Sequence, residues 1–463
     1  MEVVNGRQDW LSADPHITSE GLDLNPQQQT LTIEALRNQI QLVFGPPGTG
    51  KTYFIKKLAQ ALLKGGRIKQ IHIITPSNVN ADEIATDLAA KGLKVLRENA
   101  SHHKSIDGLT IDSHVKKIPE YLTRFNELQA IDMLASHRTA QIRALRYEFY
   151  GHVYRSLHVV VTTSMLGSHH HLKEFKADCV IIDECGRMME AEAILPIVEC
   201  TEKLVVVGDP RQIGPICYSR DAEEKGLKVT LLDRLVTLGF PSDTLLHQYR
   251  MCSPIMDIIN TLFYRDHPLI QGIDQAKLAK NWKKYSAFMP GPVMFVNIAG
   301  TEEATKSKSL MNMEEVNVME HIVNELAHHK VDPASTTIMT GYRAQTGLLK
   351  KRFGQVYPCK ITTIDAMQGL EADVILVSLV RTNQIGFLRD VGRHCVLLSR
   401  AMTCMIIVGH LDAFEAAEHA DSWKRMADYM YEKQYVYQAA NRSLMKLDKK
   451  SRGSALGMRM EVE

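Results

Sequence analysis

The sequence predicts an α/β fold of two doubly wound, parallel-sheet domains in tandem, and three observations carry that prediction. Short apolar runs alternate with longer amphipathic stretches, the pattern of βαβ units around a parallel sheet. The alternation comes as two successive sets, with a seam near Pro241–Tyr249. A length of 463 residues leaves room for two or three domains with cores of their own.

In chain order, the first set of strands is expected at Gln41–Phe44, Ile71–Thr75, His158–Thr162, Cys179–Ile182 and Leu204–Val207. The second set is expected at Val293–Val296, Thr337–Thr340, Val374–Val377 and Met405–Val408. A long polar insert, roughly 98–155, separates the second and third strands. Within it Ile118, Leu122, Phe125, Leu128, Ile131 and Leu134 recur at spacings of three and four, which predicts a helical hairpin over Ile118–Arg146. Beyond Leu411 the chain reads as helical to about Asn441 and then as a charged end. The domain reading is an N-terminal extension over 1–23, a first domain over 24–240, a second over 241–412 and a helical tail over 413–463. Lys449, Lys450 and Arg452 read as a solvated end or a nuclear-import patch.

Composition constrains function only loosely. A net charge of +2 neither announces nor excludes a nucleic-acid partner, because a binding groove needs clustered cations and not a basic total. The first twenty residues carry no apolar core of the secretory kind. No apolar stretch approaches the ~20 residues that span a bilayer, so no membrane partner is expected. The eight cysteines form no C-x-x-C pair, which favours reduced, packed thiols and a cytoplasmic or nuclear setting. His169-His170-His171 reads as a loop or helix start, since adjacent histidines rarely converge on one ion. The 21 methionines read as core filler.

The chemistry begins at Gly45-Pro46-Pro47-Gly48-Thr49-Gly50-Lys51-Thr52, a G-x-x-x-x-G-K-[ST] phosphate loop set between an apolar strand and a helix. The glycines let backbone N–H groups close around phosphate oxygens, and the helix N-terminus adds partial positive charge. Lys51 would neutralise the outer phosphates, while the Thr52 hydroxyl would ligate Mg²⁺. Asp183 and Glu184 end the fourth apolar strand. There Asp183 is placed to hold the metal, and Glu184 to orient or deprotonate the attacking water.

The remaining motifs resemble superfamily 1 helicases of the Up-frameshift-like branch, with the nonsense-mediated-decay, Sen, Dna and Mov types. The resemblance runs in order from about Leu24 to His410, and it implies two tandem RecA-like P-loop NTPase domains with a helical insert in the first. Leu24-Asn25-Pro26-Gln27-Gln28 looks like the Q motif, whose glutamine, here Gln28, reads adenine. Thr75-Pro76-Ser77-Asn78 and Thr162-Thr163-Ser164 resemble strand-gripping motifs. Gly208-Asp209-Pro210-Arg211-Gln212 is similar to the third motif, with Gln212 as γ-phosphate sensor. Gln248-Tyr249-Arg250-Met251 implies adenine stacking by Tyr249 and γ-phosphate contact by Arg250. Tyr342-Arg343-Ala344-Gln345 matches a further element. Thr362 to Glu371 resembles the motif that links nucleotide to nucleic acid, with Glu371 on the ribose. Gly386-Phe387-Leu388 and Leu398-Ser399-Arg400-Ala401 resemble the closing motif, with Arg400 as arginine finger.

These roles suit phosphoryl transfer, which needs positioned cations on the transferred group. An arginine outside such a motif is more often a surface ion pair. The hydroxyls of Thr75, Ser77, Thr162, Thr163 and Thr363 suit sugar–phosphate contacts without base readout, and equally suit turns. Several positions depart from the family: Arg187 stands where it has glutamine, Ile213-Gly214 replace Leu-Pro, and Cys252 and Cys395 replace histidine and asparagine. Only about twenty residues precede Leu24, too few for a Cys/His-rich module or a small β-barrel. The expectation is a monomeric, ATP- and Mg²⁺-dependent helicase or translocase on single-stranded RNA, favoured over DNA, moving 5′→3′, with protein partners of an RNA-processing complex. Its rival is an ATP-gated clamp that grips RNA and unwinds little, motivated by Arg187 and the missing barrel. A regulatory GTPase is disfavoured because no N-K-x-D element is present.

Overall fold

The computed structural model describes residues 21–98, 104–131, 134–166, 172, 174–198, 200, 202–417, 421–440 and 443–446. The extension up to residue 20, His169-His170-His171, and Lys449, Lys450 and Arg452 lie outside the described residues. Two compact units emerge. The first runs to Gly45 and continues over Gly50–Pro210 and Gly214–Leu245. The second holds Pro46–Thr49, Arg211–Ile213 and the chain from Leu246 onward.

The first unit is built on seven parallel strands: β1 (Ile40–Phe44), β2 (Ile71–Thr75), β3 (Val95–Arg97), β4 (Val159–Thr163), β5 (Cys179–Ile182), β6 (Lys203–Gly208) and β7 (Ser242–Thr244). Their order is β3-β4-β2-β5-β6-β1-β7. Successive residues of a buried parallel strand feed opposite faces. In β1, Leu42 joins a core with Val160, Ile182 and Phe149, while Val43 joins another with Phe54, Ile73 and Val207. Fully burying each such side chain contributes about 1.5–3 kcal/mol. The helix Lys51–Lys64 seats Phe54, Ile55, Leu58 and Leu62 on the second of these faces.

The insert between β3 and β4 is helical, with Pro119–Ala130 and Ala135–Ser156 packed as a hairpin. Pro119 occupies the first turn, where its missing N–H is harmless. The buried face matches the expected one in part, since Ile118, Phe125 and Leu128 pack, partly buried, against the core that holds Phe149. Tyr121 is the enclosed residue, with its ring centroid 5.8 Å from that of Phe149, whereas Leu122, Ile131 and Leu134 are 41%, 49% and 69% exposed. The first helix ends at Ala130, so the helical period carried through to Leu134 runs past its end.

The second unit contains two small pairs, β8 (His247–Gln248) with β9 (Ile270–Gln271), and β11 (Glu303–Ala304) with β12 (Leu310–Met311). Its main sheet comprises β10 (Val293–Asn297), β13 (Thr336–Thr340), β14 (Lys360–Thr363), β15 (Ala372–Ser378), β16 (Ala401–Gly409), β17 (Val436–Ala440) and β18 (Ser443–Lys446). The order is β14-β13-β15-β16-β10-β17-β18, parallel except for the β17–β18 pair.

The tail departs from the helical expectation. A helix does form over Asp421–Glu432, with Trp423, Met426 and Met430 buried, but the chain then reverses. Gln434 takes φ 57 and the Tyr435 N–H returns to the Met430 carbonyl, a left-handed helix stop. Val436 and Tyr437 are buried as β17 runs parallel to β10. The segment expected to be an appendage is a strand of the second sheet.

Candidate functional site

Gly45 ends β1 with its N–H on the Gly208 carbonyl at 2.9 Å, and the chain turns before a helix begins at Lys51. The Thr49 hydroxyl donates to the Pro46 carbonyl at 2.8 Å. Gly50, at φ 77, holds a left-handed conformation that costs other residues about 1–2 kcal/mol. No side chain caps the helix that follows, so its first N–H groups are left for an anion. The Lys51 ammonium sits 2.7 Å from the Gly45 carbonyl and 3.3 Å from the Glu184 carboxylate.

Asp183 is fully buried just past β5, and neither of its carboxylate oxygens has a hydrogen-bond partner. Burial pushes its carboxyl up to about 7, and the neighbouring Glu184 charge adds to the rise against the pull of Lys51. A buried carboxylate without a donor is costly unless a cation pairs with it. With the Thr52 hydroxyl on the adjoining helix, the donor set is oxygen-only, which suits a hard divalent ion such as Mg²⁺. Glu184 takes φ 51, rare for a residue with a side chain, and its carboxylate pairs with Lys51 at the phosphate loop. Arg187, at the end of the short 3₁₀ turn that follows Glu184, is partly exposed, and its guanidinium has no partner among the described residues.

Gln28 is buried at the third position of the helix Pro26–Arg37, where its Oε1 accepts from the Asn25 N–H at 3.3 Å in a capping box. Its Nε2 lies 3.9 Å from the point that a Cβ on Gly50 would occupy, which puts the amide beside the phosphate loop.

The residues expected to grip nucleic acid fall into two groups. Pro76, Ser77, Asn78, Thr163 and Thr363 lie at strand ends and are at least partly exposed. Ser77 caps the next helix, and the Asn78 side-chain oxygen accepts from Arg97 at 2.8 Å. Thr75 and Thr162, by contrast, are fully buried. The Thr162 hydroxyl lies 2.9 Å from His72, whose ring burial brings it down to about 4. Both lie within strands packed on two faces, and the register sets them on opposite faces, so in place of the expected sugar–phosphate contact the Thr162 hydroxyl makes a core hydrogen bond.

In the second unit, Gln248 is fully buried and ties down the Tyr249-Arg250 turn, a role that the sequence reading missed. Its Oε1 accepts from the N–H groups of Arg250 and Met251 at 2.9 and 2.7 Å, and its amide donates to Gln271 at 2.9 Å. Tyr249 is 46% exposed, and its ring occupies the space that a side chain at position 272 would need: a Cβ there would meet Tyr249 Cε1 at 2.5 Å. Gly272 is thus a second residue that went unnoticed. Arg250 pairs with Glu371 at 2.5 Å and donates to the Ser399 carbonyl at 3.2 Å. Glu371, expected on a ribose, is therefore engaged by an arginine in this state. Arg400 is buried and donates to Gln212 at 3.2 Å and to the Ser399 hydroxyl at 3.1 Å. Two pairs of expected site residues, Arg250 with Glu371 and Arg400 with Gln212, are thereby brought together.

The second unit also holds a buried polar assembly. Glu315 is fully buried and accepts from the Ser378 hydroxyl at 2.6 Å and from the Val380 N–H at 2.8 Å. Val380 stands at φ 70, an outlier for a β-branched residue. Gln345 bridges Asn312 and Ser378 at 3.1 and 2.8 Å, so this residue of the expected family element is interior scaffolding. The signal for Glu315 was an acid within the apolar face of the helix Met313–His328.

Two family models, each described as an AAA domain, match this chain, one over residues 23–146 and 123–220 and the other over 227–412. The ATP-dependent helicase NAM7 of Saccharomyces cerevisiae is 30% identical over 414 residues, covering 84% of this chain and 42% of that protein. The Regulator of nonsense transcripts 1 homolog of Neurospora crassa is 29% identical, covering 84% and 37%. The ATP-dependent helicase upf1 of Schizosaccharomyces pombe is 28% identical, covering 91% and 48%. The chain thus spans about a third to a half of the length of these relatives. Among solved structures, the Arterivirus nonstructural protein 10 helicase is 13% identical with a TM-score of 0.43, over 82% of this chain and 61% of that one. With both halves matched in order and the relatives aligned across them, the chain belongs to the Up-frameshift-like branch of the superfamily 1 helicases.

Proposed function

We propose that this chain is an ATP-hydrolysing motor that moves along single-stranded nucleic acid, RNA in preference to DNA, in the 5′→3′ direction. The observation that carries the hydrolytic half is the buried Asp183, with two unpartnered oxygens, next to the Lys51–Glu184 pair at the phosphate loop. Thr52 and Asp183 would hold Mg²⁺, which when bound offsets charge on the phosphoryl oxygens. Lys51 exchanges its Gly45 and Glu184 contacts for phosphate. Glu184, once released, accepts the proton of the attacking water. Gln28 and Tyr249 hold the adenine by hydrogen bonding and stacking. Arg250 and Arg400 are the candidates for charge neutralisation on the transferred group, a contribution worth about 10³–10⁵ in rate where such a finger has been isolated. The relatives named as ATP-dependent helicases support the motor half, as do the partly exposed Pro76, Ser77, Asn78, Thr163 and Thr363. Cytoplasmic or nuclear localisation and a monomeric state belong to the same reading.

Glu184→Gln tests it. Turnover should fall by about 10²–10⁴ while ATP affinity stays within a few-fold, and undiminished hydrolysis would remove Glu184 as the base. The unpartnered Arg187 favours a second reading, an ATP-gated clamp. A strand-displacement assay separates the two, because a clamp binds RNA in an ATP-dependent way and releases no strand.

A further inference from the structure

Opposite the phosphate loop, the first unit carries a cavity of about 820 Å³. Its lining precedes β2, β4 and β5, so it opens at the N-terminal ends of the strands, whereas the phosphate loop follows the C-terminal end of β1. Lys64, Lys69, Lys91, Lys176 and Arg155 line it against a single carboxylate, Asp178. That carboxylate is already committed: one oxygen accepts from the backbone N–H groups of Lys69 and Gln70 at 2.7 and 3.0 Å. Arg155 pairs with Glu174 at 3.3 Å. Among the described residues, none of the four lysine ammonium groups has an acidic partner.

Cations at helix C-termini have an ordinary explanation in the helix dipole. It covers Lys64, in the last turn of its helix, and Lys91, at the end of the helix Asn78–Ala90. Lys69 and Lys176 lie on connecting segments outside any helix, so the dipole does not account for them. In a chain whose formal net charge is only +2, four unpaired cations around one concavity are a local concentration of charge. The volume lies in the range of small-molecule sites, about 300–1,000 Å³. No Phe, Tyr or Trp lines it, and His158 is the one ring in the lining, so it has no paired aromatic platform for successive bases. Lysines act as point charges without the planar fork of arginine, which suits several phosphates on one compact body better than a single planar carboxylate.

We infer that this cavity is a second anion site, taking a compact ligand that bears several phosphates. It is separate from the nucleotide site and independent of the motor reading, so either can fail alone.

The probe is inositol hexakisphosphate, titrated calorimetrically into the full chain at ~0.15 M salt, where exposed charges more than about 8 Å apart are largely screened. One-to-one binding is expected in the wild type and equally in Lys51→Ala, which removes the phosphate-loop cation. Lys69→Glu/Lys176→Glu should weaken it about tenfold or more and leave basal ATP hydrolysis unchanged. Lys277→Glu/Lys280→Glu, the same charge change on an exposed helix of the second unit, should leave binding intact. Equal loss in that control would reduce the effect to net charge, and loss in Lys51→Ala would assign the probe to the phosphate loop. A short single-stranded RNA that binds through Lys69 and Lys176 where the compact probe does not would make the cavity part of a nucleic-acid track. Any of these three outcomes, or an absence of saturable binding, overturns the assignment.

Discussion

Replacing Glu315 by alanine should be among the most damaging single changes away from the nucleotide. The carboxylate is fully buried and receives the Ser378 hydroxyl at 2.6 Å and the Val380 N–H at 2.8 and 3.0 Å on its two oxygens. Truncation strands the Val380 N–H in the interior and leaves Ser378 to find another acceptor, at about 1–3 kcal/mol for each orphaned donor. The one lost methylene adds about 1 kcal/mol of burial. The expected cost is therefore on the order of 3–6 kcal/mol, enough to consume much of the stability of an ordinary domain. Val380, held at φ 70, should relax, and amide exchange across β15 and the turn after it should accelerate. Guanidinium unfolding of the full chain, read together with hydrogen exchange on peptides spanning 372–385, measures both effects locally where a two-lobed chain is not two-state. Burial also pushes the Glu315 carboxyl from 4.5 up to about 8, against the hydrogen bonds that favour its charge. The folded state then keeps a proton that the unfolded chain releases between those values, so stability falls as pH rises through the window. Glu315→Gln should flatten that slope at modest cost. A loss under about 1 kcal/mol in Glu315→Ala, with exchange at 372–385 unchanged, would refute the reasoning.

Three further outcomes follow from the geometry. Because burial raises the Asp183 carboxyl toward about 7, kcat/KM for Mg²⁺-dependent ATP hydrolysis should rise with pH across the neutral range, and the profile between pH 5.5 and 8.5 would be flat if another group limited metal binding. Gly272→Ala pushes a Cβ into the Tyr249 ring, so KM for ATP should rise roughly 3- to 10-fold with kcat nearly unchanged; steady-state kinetics with an unaltered KM would free Tyr249 of its adenine role. Trp423 is fully buried, stacks on His394 at 3.8 Å and donates to the Leu388 carbonyl, so Trp423→Ala should cost about 3–5 kcal/mol by denaturant unfolding, whereas a loss near zero would make the Asp421–Glu432 helix a dispensable tail.

The strands that face two cores were legible because their runs are mostly apolar, as in Ile71–Thr75 and Cys179–Ile182, which fold over the predicted spans. Among the strands that escaped notice, β3, β7 and β14 lie at sheet edges and are only three, three and four residues long. β17 escaped because the helix before it and the strand itself share aromatic, mixed composition, and only the left-handed Gln434 separates them. In the site, the phosphate loop was readable because its chemistry is local in sequence. Glu315 and Val380 are 65 residues apart, and Gln248 and Gln271 are 23 apart, so their partnership exists only after folding. Thr162 meets His72, 90 residues away in sequence, a contact that the motif alone does not show.

The helical hairpin leaves the first sheet after its outermost strand, β3, and returns at the next one in, β4. Lengthening or shortening it disturbs no pairing among the five strands beyond. The connection between Ala130 and Ala135 is accordingly a place to splice in a fluorophore or an affinity handle without altering the sheet.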